Sequence, residues 1–179
     1  EMQNTNTGYA AGNNGLIIKS VGNYAGVDFK YMNANSISTI YRSDGGFNVI
    51  KGSGTSPGFE WPKGTGKHAR YASGLWIGAM VNGEPRVTTA AYDNEYFPGF
   101  TDNGSLPRGR NDSNYRIFNM NLGSGSSDRH LWPNSLLGNS DQGAPVYFDS
   151  ISCSWKPLDF GSQTMFYSYT DSYPESHNN

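Results

Sequence analysis

Leu75-Trp76-Ile77-Gly78-Ala79-Met80-Val81-Asn82-Gly83-Glu84-Pro85-Arg86-Val87 reads as two strands joined by a two-residue turn. Asn-Gly favours a type I′ turn because both central residues need positive φ. Such a turn pairs Val81 with Glu84, Met80 with Pro85, Ala79 with Arg86, Gly78 with Val87 and Ile77 with Thr88. Val81 and Glu84 then close a hydrogen-bonded rung, and Pro85 falls at a non-hydrogen-bonded site. Its missing N–H is lost only to a further strand on that side, so the return strand begins as an outer edge. One face of the hairpin carries Leu75, Ile77, Ala79 and Val81; the other carries Trp76, Met80 and Val87 beside Gly78. Both faces are apolar enough to require cover. One is expected to be the domain core, and the other to meet a second layer or a protein partner.

The rest of the chain repeats this pattern in shorter pieces. Strand candidates are 15–19, 27–31, 38–41, 47–51, 75–81, 84–91, 115–121, 146–148, 151–155 and 163–170, separated by Asn14-Gly15, Asp44-Gly45-Gly46, Asn103-Gly104 and Gly123-Ser124-Gly125. No strong helical period occurs. Gly, Asn and Ser fill 63 of 179 positions, and 12 of the 25 aromatic residues are Tyr, a composition of turns and strands rather than helices. The expected fold is all-β, an antiparallel β-sandwich of jelly-roll type, in one domain over 1–179 with 1–14 as a polar arm. Residues 51–58, 97–114 and 123–128 read as loops.

Charge and cysteine content narrow the function. Net charge is -2, and the 13 Lys and Arg are scattered, which excludes the concentrated basic face that nucleic acid requires. No apolar run approaches the ~18 residues of a membrane-spanning helix, so membrane insertion is not expected. The single Cys153 cannot form an internal disulfide and reads as a small buried hydrophobe. His68, His130 and His177 lack any zinc spacing. Calcium is a weaker exclusion. Asp93-Asn94-Glu95, Asp102-Asn103-Gly104 and Asn111-Asp112-Ser113-Asn114 offer loop oxygens, but none fits the twelve-residue calcium loop, and turn capping explains them better. No cofactor is expected.

Two further chemistries rest on particular residues. Glu60 and Glu95 stand among aromatics that would desolvate them, as a glycosidase acid requires, and a salt bridge at a sheet end explains them equally well. No nucleophile elbow or phosphate loop is present, so no catalytic residue is assigned. Trp61, Trp132 and Trp155 are the candidates for stacking against a sugar, set against the commoner use of such aromatics as core or interface anchors.

One segment carries a resemblance. Gly58-Phe59-Glu60-Trp61-Pro62-Lys63-Gly64-Thr65-Gly66, Tyr71-Ala72-Ser73-Gly74-Leu75-Trp76-Ile77-Gly78, Val81-Asn82-Gly83-Glu84-Pro85-Arg86-Val87 and Glu95-Tyr96-Phe97-Pro98-Gly99 follow one another in order. This series resembles the amino-terminal region of large secreted and cell-surface proteins of Bacteroidota and Ignavibacteria, many carrying type IX secretion sorting tails. The likeness is dense over 58–99 and thin over the first 50 residues. Ser162 departs from the Asp usual in that family, and Thr170-Asp171 from its Asn-Asp. The resemblance implies an extracellular or cell-surface location, with a leader removed ahead of Glu1, and implies no activity.

The expected function is therefore structural and non-enzymatic: a secreted subunit that self-assembles into a filament, tube or surface layer, with copies of itself as partner. Leu16, Ile17 and Ile18 are the candidate exchanged strand, and Trp76, Met80 and Val87 the candidate contact face. The alternative is a carbohydrate-binding or adhesive module with a surface glycan as partner.

Overall fold

A computed structural model describes residues 8–11, 17–20, 27–48, 58–70, 72–90, 96–122 and 128–174, the first two segments as backbone strands. Every strand pair in it is antiparallel, and the helical elements among the described residues are two 3-10 turns, Arg129–Leu131 and Ser135–Leu137. The fold is all-β and sandwich-like, as the turn spacing predicts.

The largest sheet has seven strands. Its order runs His68–Arg70, Phe59–Glu60, Ser38–Arg42, Gly46–Phe47, Ser73–Val81, Glu84–Ala90, with Phe29–Met32 pairing Ser38–Arg42 as well. Ser38–Arg42 is its hub because Ile40 is buried there and the strand ends in a tight turn. In that turn the buried Asp44 carboxylate takes Arg42 Nε at 3.0 Å and the Gly46 N–H at 3.2 Å. An ion pair taken out of water needs further hydrogen bonds to be tolerated, and here Asp44 accepts from both Arg42 and the Gly46 backbone.

The described residues of 96–174 form four two-stranded ladders: Phe97–Pro98 with Tyr169–Thr170, Phe100–Thr101 with Pro107–Arg108, Phe118–Asn121 with Gln163–Phe166, and Val146–Asp149 with Ser154–Pro157. Phe118, Met120, Trp132 and Ala144 make a buried cluster, with Leu137, Val146 and Phe166 packed on it. A buried amide joins this part to the large sheet. Gln163 donates from Nε2 to the Tyr31 carbonyl at 2.9 Å and accepts the Asn33 N–H at 2.8 Å. Asp28 adds a second tie by accepting the Ile117 N–H at 3.1 Å.

Four sequence readings change here. Cys153, read as a buried hydrophobe, is exposed in a turn, and the strand expected over 151–155 begins only at Ser154. The stretch 97–114, read as a loop, contains one short ladder and a further two-residue strand that pairs Tyr169–Thr170, hidden by Pro98, Gly99 and Pro107. Gly99 is required where it stands: its φ is +130°, and a Cβ would lie 1.9 Å from the Arg108 carbonyl oxygen. The polar arm 1–14 also contains a strand, Gly8–Ala11, which pairs Ile17–Ser20.

Candidate functional site

The hairpin of Ser73–Val81 and Glu84–Ala90 keeps the register that its turn dictates, from Leu75 opposite Ala90 to Val81 opposite Glu84, without a bulge. Asn82 and Gly83 have φ of 53° and 83°, as a type I′ turn requires. Its base is fixed. Gly46 and Phe47 pair Gly74 and Ser73, Asn48 donates to Ser73 Oγ at 2.9 Å, and Ala90 is buried. Beyond Gly74 the supporting strand has ended, since Gly46–Phe47 is only two residues long. The hairpin continues past it as an arm.

Neither face of this arm is covered by the described residues, which corrects the expectation that one face is the domain core. Trp76, Met80 and Val87 are 71, 69 and 68 % exposed on one side, and Leu75, Ile77 and Val81 are exposed on the other. The reason is one of length: a strand of nine residues is set against one of two at the base. Among the described residues no strand lies beyond Glu84–Ala90, so it stands at the sheet edge as Pro85 predicts. Glu84 and Arg86 are the only ionisable side chains between Ser73 and Ala90.

A second apolar surface belongs to the other hairpin, Val146–Asp149 with Ser154–Pro157. Val146 and Pro157 face the core end, while Phe148 and Trp155, directly opposite each other, reach solvent with their rings edge to face at 5.4 Å. Ile151 in the connecting turn is 95 % exposed. Asp149 orders that turn by accepting the Ile151 N–H at 3.0 Å, the Ser152 hydroxyl at 2.7 Å and the Lys156 ammonium.

The remaining candidates fall in different places. Trp132 is fully buried, with its indole N–H donating to the Pro145 carbonyl at 2.9 Å, so the structure removes it from the sugar-stacking set. Trp61 is 57 % exposed and Trp155 is exposed, on separate elements that bring no two tryptophans into ring contact among the described residues. Ile17 and Ile18 lie opposite Ala11 and Ala10, so the candidate exchanged strand already has a partner within the chain. Leu16 is outside the described residues, as is Glu95.

Carboxylates elsewhere serve turns. Glu60 accepts the Gly66 and Gly64 N–H groups at 2.7 and 3.0 Å, and these donors hold it below its ordinary pKa. A glycosidase acid needs the opposite shift. Asp102 accepts the Leu106 and Gly104 N–H groups and Arg108 Nε, while Asp112 accepts the Asn114 N–H. Among the described residues no three metal-ligating side chains cluster, and no helix is long and apolar enough to cross a membrane. The signal that sequence reasoning missed is the shortness of Gly46–Phe47, which leaves the arm bare. Comparison with known protein families, with curated proteins and with solved structures gives no match.

Proposed function

We propose that this chain is a structural, non-enzymatic subunit that assembles with copies of itself into an extracellular filament, tube or surface layer. The arm carries this reading. A two-stranded hairpin alone is marginal in water, and contiguous exposed apolar surface marks an interaction site. The exposed fractions of Leu75, Trp76, Ile77, Met80, Val81 and Val87 amount to a little over three whole side chains. Covering them is worth about 5–10 kcal/mol gross, at about 1.5–3 kcal/mol each.

Association costs about 4–15 kcal/mol, so one covered face holds weakly and lasting contact encloses the arm. At about 3.3 Å per residue the arm is about 20 Å long, and enclosing its whole girth buries roughly 800 Å², the share per partner of a standard interface. Arg86 is the arm's lone cation, which favours a protein partner over nucleic acid. The resemblance of 58–99 to secreted proteins supports the extracellular location.

The test is sedimentation and negative-stain microscopy at neutral pH. Wild type is expected as polymers, and Trp76→Ser/Met80→Ser/Val87→Ser as folded monomers near the chain mass of 19.6 kDa. Wild-type protein that is uniformly monomeric overturns the reading.

A second reading, a carbohydrate-binding or adhesive module, is favoured by Trp61. This exposed ring stands on a turn fixed by Glu60 and by the Trp61 N–H to the Lys67 carbonyl at 2.9 Å. Glycan-array binding that disappears in Trp61→Ala supports it; an array blank for wild type removes it.

A further inference from the structure

We propose that the pocket lined by Phe100, Tyr115, Asp141, Gln142 and Ser168 binds a primary alkylammonium ion, with Asp141 meeting the charge and the two aromatic rings meeting the chain.

The pocket has a volume of about 180 Å³. At about 30 Å³ for each water-sized group, it holds about six non-hydrogen atoms, the size of a short amine. Its walls come from separate segments that hydrogen bonds tie together. The Gly99 N–H donates to the Ser168 carbonyl at 3.1 Å, and the Gln142 N–H to the Pro133 carbonyl at 3.1 Å. Gln142 Nε2 donates to the Asn114 carbonyl at 2.6 Å. The Phe100 and Tyr115 rings stack, with centroids 5.7 Å apart and planes inclined by 26°. Gly109 lets Tyr115 lie against the backbone, since a Cβ at 109 would stand 2.7 Å from its ring. The site is therefore built before a ligand arrives, and little freedom is lost on binding.

The polar capacity left over identifies the ligand. Ser168 donates its hydroxyl hydrogen to Gln142 Oε1 at 3.1 Å, and Gln142 already donates to Asn114. Asp141 accepts the Gly143 N–H and the Ser135 hydroxyl, both at 2.9 Å, which leaves a lone pair on each carboxylate oxygen. Unused acceptors are thus the carboxylate, Gln142 Oε1 and Ser168 Oγ, against two donors, the Tyr115 hydroxyl and the second Nε2 hydrogen. A sugar hydroxyl both donates and accepts, whereas an ammonium brings three donors and no acceptor. Charge points the same way. The neutral Gly143 N–H and then the Ser135 hydroxyl hold Asp141 below its ordinary pKa, and it joins no ion pair among the described residues. Its negative charge therefore stands uncompensated. Burial and then the Asp112 charge push the Tyr115 hydroxyl above its ordinary value, so a second carboxylate adds negative potential at this ring. A cation beside a carboxylate and against aromatic rings gains from both.

Saturation-transfer NMR on the full chain tests the site. It reads ligand contact with monomers and polymers alike, so its outcome does not depend on self-assembly. The probes are n-butylammonium, n-butanol, tetramethylammonium and methyl glucoside at neutral pH. Butylammonium is expected to bind with a Kd of about 1–10 mM. n-Butanol, the same shape without the charge, and tetramethylammonium, the charge without donors, are expected to bind at least about tenfold more weakly. Asp141→Asn and Phe100→Leu, each checked for folding by circular dichroism, are expected to weaken butylammonium by about tenfold and fivefold. Nα-Acetyl-lysine methylamide separates two sources of the same chemistry: equal binding assigns the pocket to a lysine side chain, and its exclusion assigns a free amine. No saturable butylammonium signal, n-butanol or methyl glucoside binding as tightly, or affinity unchanged in either folded variant overturns the proposal and leaves the self-assembly reading standing.

Discussion

Asp128→Asn is expected to destabilise the fold by about 2–3 kcal/mol at pH 7, with an effect that fades in acid. The Asp128 carboxylate accepts Arg116 Nη2 at 2.8 Å, Nη1 at 3.2 Å and the Asn119 N–H at 2.8 Å. Asparagine keeps the shape and one acceptor but turns an N–H₂ toward the guanidinium. Breaking a buried pair costs about 3–5 kcal/mol. Arg116 keeps 30 % of its side chain in water, against 9 % for Asp128, which reduces the expected loss to about 2–3 kcal/mol. Arg116 also lies 4.4 Å over the Phe118 ring, so its displacement reaches the core cluster.

The pH dependence follows from the direction of the Asp128 shift. Burial opposes the charge, but the Arg116 donors and the Asn119 N–H outweigh it and hold the carboxyl below its ordinary value. A carboxylate lowered on folding contributes its stability fully above the unfolded pKa, about 3.9, and loses it as pH falls through the folded value. Urea unfolding by circular dichroism measures this, in the monomeric Trp76→Ser/Met80→Ser/Val87→Ser background so that unfolding is not linked to assembly. The stability gap between that background and the same chain carrying Asp128→Asn should be full at pH 7 and narrow below about pH 4. A gap under about 0.5 kcal/mol at pH 7, or one that stays constant into strong acid, refutes the reasoning.

Trp132→Phe is expected to cost about 2–3 kcal/mol, from lost volume in the core cluster and the loss of the indole hydrogen bond to the Pro145 carbonyl, which keeps the Leu158 N–H at 3.0 Å. Thermal melts read the loss, and glycan binding by the folded protein should be unchanged; a selective binding defect at full stability would return Trp132 to the sugar-stacking set. Gly99→Ala is expected to cost about 3–5 kcal/mol, because a Cβ 1.9 Å from the Arg108 oxygen must open the ladder of Phe100–Thr101 with Pro107–Arg108. Hydrogen exchange at Asp102 and Leu106 should rise with it, and a melt within about 2 °C of wild type contradicts this account.

Sequence periodicity and turn chemistry reached the hairpin in detail. Asn82-Gly83 set its register, and Pro85 marked its edge, because both act through the backbone of adjacent residues. The burial of its faces was not legible, since it depends on how far Gly46–Phe47 runs alongside, a contact about 30 residues away in sequence. The same holds for Trp132, whose surroundings of Phe118, Met120 and Ala144 come from separate segments. Two-residue strands such as Phe97–Pro98 carry no periodicity to read. The hairpin of Val146–Asp149 with Ser154–Pro157 was half visible: 146–148 was expected as a strand, but so was 151–155, whereas Asp149 accepts the Ile151 N–H, turns the chain and leaves Ile151 exposed ahead of a strand that begins at Ser154.

Pro85 has a bearing on how the arm avoids runaway stacking. An exposed apolar strand at a sheet edge is a template for cross-β aggregation, which spreads when successive N–H groups lie open along it. On Glu84–Ala90 the outward positions nearest the tip are Pro85 and then Val87, and the first has no N–H to give. An intruding strand finds that end of the edge closed and finds the charges of Glu84 and Arg86 beside it. The arm can thus display aliphatic and aromatic side chains from its faces while its edge acts as a gatekeeper against amyloid growth.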